Sequence, residues 1–252
     1  MVDFVGAGTG AVDLITVRGM KLLEQADVII YAGSLVNPEL LSYAKKECEI
    51  YNSALMTLEE VIDVIKKSEQ QGKNTVRLHT GDPSIYGAIR EQMDELDKLK
   101  IHYRTCPGVS ACFGAASSLN LEYTLPGVSQ SLIITRMEGK TAVPREESIE
   151  SFAKHKSTMA VYLSAGMLER LADKLISGGY DKTTPAAIVY KATWPEEKTC
   201  LCTIETLAEA AKANGIYKTA VVLVGDVISH SHYEKSRLYA ADFSTEYRTG
   251  KE

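Results

Sequence analysis

A short apolar segment, Val76-Arg77-Leu78, runs into Gly81-Asp82-Pro83-Ser84-Ile85-Tyr86-Gly87 and then into Ala88-Ile89-Arg90-Glu91-Gln92. Strand, Gly-Asp-Pro turn and amphipathic helix in direct succession constrain the fold more than any other feature of the chain. Such a turn brings bare backbone and one carboxylate to the carboxyl end of a sheet, the edge where open α/β sheets bind ligands. The same succession recurs. Val2 to Val5, Val28 to Tyr31, Glu49 to Tyr51, Thr75 to His79 and His102 to Thr105 read as strands, with helical patterns at 16–25, 38–46, 57–71 and 84–98. Thr57 with Glu60 three residues on is a capping box, and Gln71-Gly72 closes that helix. A βαβ succession of this kind requires a mostly parallel sheet.

A second half follows the small-residue stretch Ala115-Ala116-Ser117-Ser118. Strands are expected at Ser131 to Thr135, Met159 to Leu163, Ala186 to Tyr190 and Ala220 to Val224, with helices at 146–154, 166–177 and 204–213. The segment from Arg136 to Glu146, with Gly139 and Pro144, reads as an exposed loop, so the second sheet is expected to be mixed. The expected organisation is two α/β lobes, 1–116 and 117–236, with a polar tail at 237–252 and a ligand cleft between the lobes.

Composition removes several function classes. At 45% hydrophobic and 24% charged content over 252 residues, the chain is globular and large enough to bury substantial cores. No apolar run approaches the roughly 18 to 20 residues of a membrane span, and Val2-Asp3-Phe4-Val5 opens a strand, not a leader, so a cytoplasmic protein is expected. Five cysteines without a Cys-x-x-Cys pair fit a reducing compartment. A net charge of −5 argues against nucleic acid as partner. A polyanionic small molecule would need a local basic patch, for which Arg136, Lys191, Arg18 and Arg90 are candidates by position, against a solvated-surface reading for each.

Gly6-Ala7-Gly8-Thr9-Gly10-Ala11 follows a strand and satisfies G-x-G-x-x-G/A. Two details oppose a dinucleotide site: the second strand ends Ile30-Tyr31-Ala32-Gly33-Ser34 without an acid for the ribose, and the next helix starts late, near Thr16. A different ligand against a close-approach glycine loop, or a purely structural turn, remain as readings. In the second loop Asp82 either caps the helix or attracts a cation, and Pro83 suits a first helical turn. Cys106-Pro107-Gly108-Val109-Ser110-Ala111 is a third small-residue loop after a strand.

Taken together, Gly6-Ala7-Gly8-Thr9-Gly10, Leu14-Ile15-Thr16-Val17-Arg18-Gly19, Gly81-Asp82-Pro83-Ser84-Ile85-Tyr86-Gly87 and Pro107-Gly108-Val109-Ser110-Ala111 resemble the tetrapyrrole methylases, over residues 2 to about 235. Tyr31-Ala32-Gly33-Ser34-Leu35-Val36, His79-Thr80-Gly81-Asp82-Pro83-Ser84, Leu125-Pro126-Gly127-Val128-Ser129-Gln130-Ser131 and Ala192-Thr193-Trp194-Pro195 resemble the branch that methylates C11 of precorrin-4 or cobalt-precorrin-4 in cobalamin synthesis. The resemblance implies S-adenosylmethionine as methyl donor, a tetrapyrrole substrate, cobalt only as part of that substrate, and a homodimer. It places cofactor contacts on Thr80, Gly81, Asp82, Ile85, Ser110, Ala111, Leu163 and Ala192. Many relatives have Pro followed by Gly-Asp in the first loop; this chain has Thr9-Gly10-Ala11, with Asp13 the nearest acid. The implied reaction needs positioning more than a strong base, leaving Arg136 and His79 as weak catalytic candidates.

Other constellations have plainer readings. Cys200 and Cys202 share a strand face, but without a second ligand pair they are structural and not zinc ligands. His230-Ser231-His232 reads as polar tail against metal site, and Trp194 as packing anchor against stacking platform. The rival functions are methylation of another tetrapyrrole carbon or a modified protein histidine, and a non-catalytic module that binds adenosylmethionine or a tetrapyrrole.

Overall fold

Five short β-rich segments assemble the first sheet: β1 (Val2–Gly6), β2 (Val28–Tyr31), β3 (Glu49–Asn52), β4 (Thr75–His79) and β5 (Tyr103–Cys106). The computed structural model describes residues 1–229 and 233–251. All pairings in this sheet are parallel, in the order β3-β2-β4-β1-β5. β1 and β4 are buried along their whole length because helices cover both faces. On one face Val2, Phe4 and Ile30 pack with Val61, Ile62 and Ile65 of α2 (Leu58–Gln70) and Met93 and Leu96 of α3 (Ile89–Lys98). On the other, Val5, Ile29 and Leu78 pack with Leu23 of α1 (Val17–Gln25). Each such fully buried large side chain contributes about 1.5–3 kcal/mol by leaving water. The Thr57–Glu60 capping box forms as read: Glu60 N–H donates to Thr57 Oγ1 (3.3 Å) and Thr57 N–H to Glu60 Oε2 (2.7 Å).

Two helix expectations in this half need correction. The segment expected as a helix at 38–46 is a 3-10 turn, Pro38–Tyr43, capped by Asn37. More consequentially, the helix expected from residue 84 begins only at Ile89. Asp82 closes a local turn onto Ser84 N–H (2.8 Å), and the chain folds back so tightly that a Cβ on Gly87 would lie 2.2 Å from the Pro83 carbonyl oxygen. Tyr86 and Ala88 are left in the left-handed region, with φ of 56° and 49°. Asp82 is therefore not the N-cap of α3, and Pro83 is not in its first turn.

The second sheet has the order β6-β7-β10-β8-β9, from β6 (Leu132–Arg136), β7 (Thr158–Tyr162), β8 (Pro185–Tyr190), β9 (Lys198–Thr203) and β10 (Ala220–Val224). Only β6–β7 is parallel, so the sheet is mixed as expected. Leu168, Leu171, Ala172 and Leu175 of α6 (Leu168–Ser177) form one apolar stripe and pack with Met159, Ile188 and Val222 of the sheet, Ile149 of α5 (Ile149–Ala153) and Leu207 of α7 (Leu207–Ala213). Cys200 packs in that core with Cys202 against it, and burial pushes both thiols up, Cys202 to about 11.

The chain falls into two compact units, Met1–Ser118 with Lys191–Glu197, and Leu119–Tyr190 with Lys198–Glu252. The short segment 191–197, which a linear reading gives to the second lobe, thus belongs to the first unit. Its physical reason is a set of hydrogen bonds to the first glycine loop, described below. Among the described residues no helix is long and apolar enough to cross a membrane.

Candidate functional site

In the first sheet β1 and β4 are neighbours, yet the chain leaves β1 toward β2 and leaves β4 toward β5, on opposite sides. Their carboxyl ends are the topological switch point, where an α/β sheet ordinarily opens a crevice. Here glycine backbone closes it. Gly8 N–H donates to Gly81 O (3.2 Å) and Gly81 N–H to Gly8 O (3.0 Å), an antiparallel bridge between the first and second loops. The third loop presses into the same place: a Cβ on Gly108 would lie 2.1 Å from Gly81 O and 2.8 Å from Gly6 Cα. These glycines serve loop-to-loop contact, which leaves no room for a dinucleotide pyrophosphate, and α1 starts at Val17 with its Gly19 N–H already bonded to Thr16 Oγ1.

Asp82 ties this junction together. Its Oδ1 accepts from Ser84 N–H and the Ser84 hydroxyl, and its Oδ2 accepts from Gly108 N–H at 2.8 Å. Burial pushes its carboxyl up, but the Ser84 hydroxyl and then the Gly108 and Ser84 amides outweigh that, so the net direction is down and the group is ionised. Three donors fill three of roughly four lone-pair sites, leaving a negative charge with room for one further donor.

Around Asp82 the structure gathers most of the residues singled out from the sequence. Ser110 is buried, and a Cβ on Gly81 would touch Ser110 Cα (3.5 Å) and Ala111 N (3.6 Å). Thr80 donates its hydroxyl to Leu35 O (2.9 Å), fixing the start of the loop, and Ile85 is half-buried within it. Ala192 is buried in the 191–197 segment between Lys191 (φ 46°) and Thr193 (φ 67°). That segment is stapled to the first loop: Thr193 Oγ1 lies 2.6 Å from Thr9 Oγ1 and accepts from Ala11 N–H (3.0 Å), and Trp194 Nε1–H donates to Thr9 O (3.1 Å). Trp194 is thus a packing anchor, its indole standing where a Cβ on Gly10 would be, 2.0 Å from Cδ1. A cavity of about 450 Å³ opens beside it, lined by Val12, Asp13, Asn37, Tyr43, Trp194 and Pro195.

In the second unit, the parallel pair β6–β7 ends with Arg136 opposite Tyr162. The next residue, Leu163, is 65% exposed and held at φ 53°. A large apolar side chain kept in water by a strained backbone is the pattern of a binding residue.

The cationic candidates separate. Arg136 donates to the carbonyls of Met137, Thr141 and Ala142 at 3.0–3.1 Å, so it organises its own loop. Arg90 is exposed and paired with Asp94 and Asp97. Lys191 Nζ sits 4.8 Å from the Trp194 ring centroid and 3.5 Å from Glu196, while Arg18 is exposed on α1.

His79 does not face this edge. Its ring is 4% exposed and stacks on Phe4 at 5.9 Å, on the core face beneath α2 and α3. Burial, then the Arg77 charge, hold its pKa down to about 3, so it is neutral, and Nε2 has no hydrogen-bond partner among the described residues. Arg77 alongside is equally buried, bonded to Gln92 Oε1 (2.9 Å) and Ile30 O (3.0 Å), with its pKa lowered by burial to about 10. A His that ends a strand just before a ligand loop looks catalytic in sequence; strand alternation decides otherwise. Among the described residues no cluster of three or more His, Cys, Asp or Glu is arranged to hold a metal, and His230 and His232 lie outside the described residues. Sequence reasoning missed Asn37, which donates to Gly10 O of the first loop, and Glu197 and Ser118, which hold the 191–197 segment through Thr193 N–H; none carries a motif.

A doubly covered parallel sheet with three interlocked glycine loops, followed by a mixed α/β unit, is the build of a two-lobed small-molecule enzyme. The family model for Tetrapyrrole (Corrin/Porphyrin) Methylases matches residues 1–208, and the chain belongs to that family. It is 54% identical over 247 residues to the cobalt-precorrin-4 C(11)-methyltransferase of Methanocaldococcus jannaschii, covering 98% of this chain and 95% of the relative. It is 43% identical over 249 residues to the Priestia megaterium protein of the same name, covering 98% and 96%. Among solved structures, the X-ray structure of a cobalt precorrin-4 methyltransferase of cobalamin biosynthesis superposes with a TM-score of 0.88 at 43% identity, covering 90% of this chain and 95% of the other.

Proposed function

We propose that this protein transfers the methyl group of S-adenosylmethionine to C11 of precorrin-4 or cobalt-precorrin-4 during construction of the corrin ring of cobalamin. The observation that carries the reading is near-full-length similarity to proteins named for that reaction. Adenosylmethionine, when bound, supplies an electrophilic methyl on a sulfonium. Thr80, Gly81, Asp82, Ile85, Ser110, Ala111, Leu163 and Ala192 are the residues proposed to hold it. Asp82 favours the cationic end, and the small residues Gly81, Ser110 and Ala111 let a ligand approach the loops closely. An enamine carbon of the macrocycle is already nucleophilic, so these residues act by orientation and by excluding water, and no protein base is assigned. A cytoplasmic homodimer completes the reading, and sedimentation measures the dimer.

The test incubates purified protein with adenosylmethionine and precorrin-4, metal-free and cobalt-loaded, with mass and carbon-13 analysis of the product. One added methyl at C11 on either form supports the reading, and the two arms identify the form used. A methyl on another carbon would give the protein a different place in the family. Binding of both ligands without transfer would make it a carrier.

A further inference from the structure

The segment 191–197 holds two consecutive strains around Ala192: neither Lys191 (φ 46°) nor Thr193 (φ 67°) is glycine, and such geometry persists only where surrounding contacts over-determine it. One of those contacts is with a carboxylate that also reaches a neighbouring helix. Glu197 Oε2 accepts from Thr193 N–H at 2.5 Å and from the Ser118 hydroxyl at 2.7 Å. Ser118 lies near the end of α4 (Ala111–Leu119), the helix that opens with Ala111 of the third loop. Thr193, in turn, meets Thr9 and Ala11 of the first loop, and α4 meets that loop directly: a Cβ on Gly114 would stand 2.7 Å from Thr9 Cγ2. First loop, α4 and 191–197 therefore form a closed triangle with Glu197 at one corner. Thr9 belongs to this chain's departure from the Pro-Gly-Asp pattern, and its hydroxyl is what Thr193 engages.

We infer that Glu197 is a positioning residue. Its carboxylate fixes Ala192 and Ala111 against the first glycine loop and so sets the shape of the adenosylmethionine site without touching the ligand. This rests on the reading that Ala192 and Ala111 meet adenosylmethionine. The reporter is built in, because Trp194 is the only tryptophan of the chain and sits on the segment concerned.

The experiment compares parent, Glu197→Ala, Glu197→Gln and Thr193→Val by calorimetric titration with adenosylmethionine, by tryptophan emission with acrylamide quenching, and by melting temperature. Glu197→Ala is expected to weaken affinity about tenfold, equivalent to the low end for one lost charge-assisted hydrogen bond, with red-shifted, more readily quenched emission. Glu197→Gln keeps an acceptor oxygen and should stay within about threefold of the parent. Thr193→Val should follow the alanine variant in both readouts. Parent-like affinity and emission in Glu197→Ala would overturn the inference, as would a lower melting temperature with those two unchanged, or equal damage in Gln and Ala. If Glu197→Ala does not fold, Ser118→Ala, which removes the hydroxyl donor to Glu197, decides: unchanged affinity and emission overturn the inference. A parent that binds no adenosylmethionine would instead sink the proposed function, and the emission series would still decide whether Glu197 fixes the segment.

Discussion

Removing the Asp82 carboxylate tests the junction of the second and third loops, at the centre of the proposed site. In Asp82→Ala, Gly108 N–H loses its 2.8 Å acceptor at a half-buried position, and the Ser84 amide and hydroxyl lose theirs at the surface. A half-buried amide left unpaired costs about 1–3 kcal/mol and each exposed donor about 0.5 kcal/mol, so the whole change should cost about 2–4 kcal/mol. For a chain of this size that is a fall in melting temperature of roughly 4 to 15 °C. Asp82→Asn keeps one acceptor oxygen and should lose about half as much. The pH dependence has a definite sign. The folded carboxyl titrates below its unfolded value, so its contribution is present above about pH 4 and is lost as pH falls through the lowered folded value. The gap between parent and Asp82→Ala should therefore close in acid. Urea unfolding from pH 3 to 8, with adenosylmethionine titration at pH 7, measures both. A variant that melts with the parent at pH 7 and loses only ligand affinity would refute the view that Asp82 clamps two loops.

Four further outcomes are expected. Gly108→Ala places a Cβ 2.1 Å from Gly81 O and should cost about 3 kcal/mol in urea unfolding; parent-like stability would mean the glycine junction is not tightly packed. His79 is neutral when folded and protonates on unfolding below about pH 6.5, so it should steepen the acid loss of stability by about 1.4 kcal/mol per pH unit down to its folded value near 3; His79→Phe should flatten that limb, and an unchanged slope contradicts burial of a neutral ring. Leu163→Gly relieves a left-handed leucine, about 1 kcal/mol, against a similar chain-entropy cost, so melting should barely move while adenosylmethionine affinity falls; a melting loss with unchanged affinity would make Leu163 structural. Arg136→Ala removes the clamp on the carbonyls of Met137, Thr141 and Ala142, and limited proteolysis should then cut within 137–142 faster than in the parent; equal rates would show that the clamp does not order the loop.

Most of the architecture was legible in the amino-acid order. The parallel first sheet follows from β-rich segments alternating with amphipathic ones, because a strand can return parallel only through a crossover on one face. The Thr57–Glu60 start was legible because capping is local chemistry. The late start of α1, after Thr16, was readable too, and with it the case against a dinucleotide. The family motifs likewise lie in contiguous residues.

Tertiary structure decided what each motif residue does. Gly-Asp-Pro-Ser is locally a good helix start, but Asp82 finds Gly108 N–H twenty-six residues away, and the helix waits until Ile89. His79 turns to the core because the pleat of β4 sends alternate residues to opposite faces, and its place in the alternation is set by which face α2 and α3 cover. The segment 191–197 is bounded by strands of the second sheet, yet its hydrogen bonds go to Thr9 and Ser118, and nothing in its own seven residues announces those partners. Sequence alone determined the elements, through local propensity and period. Which loops lock together at the switch point depends on long-range backbone contacts between glycines, and only the folded chain supplies them.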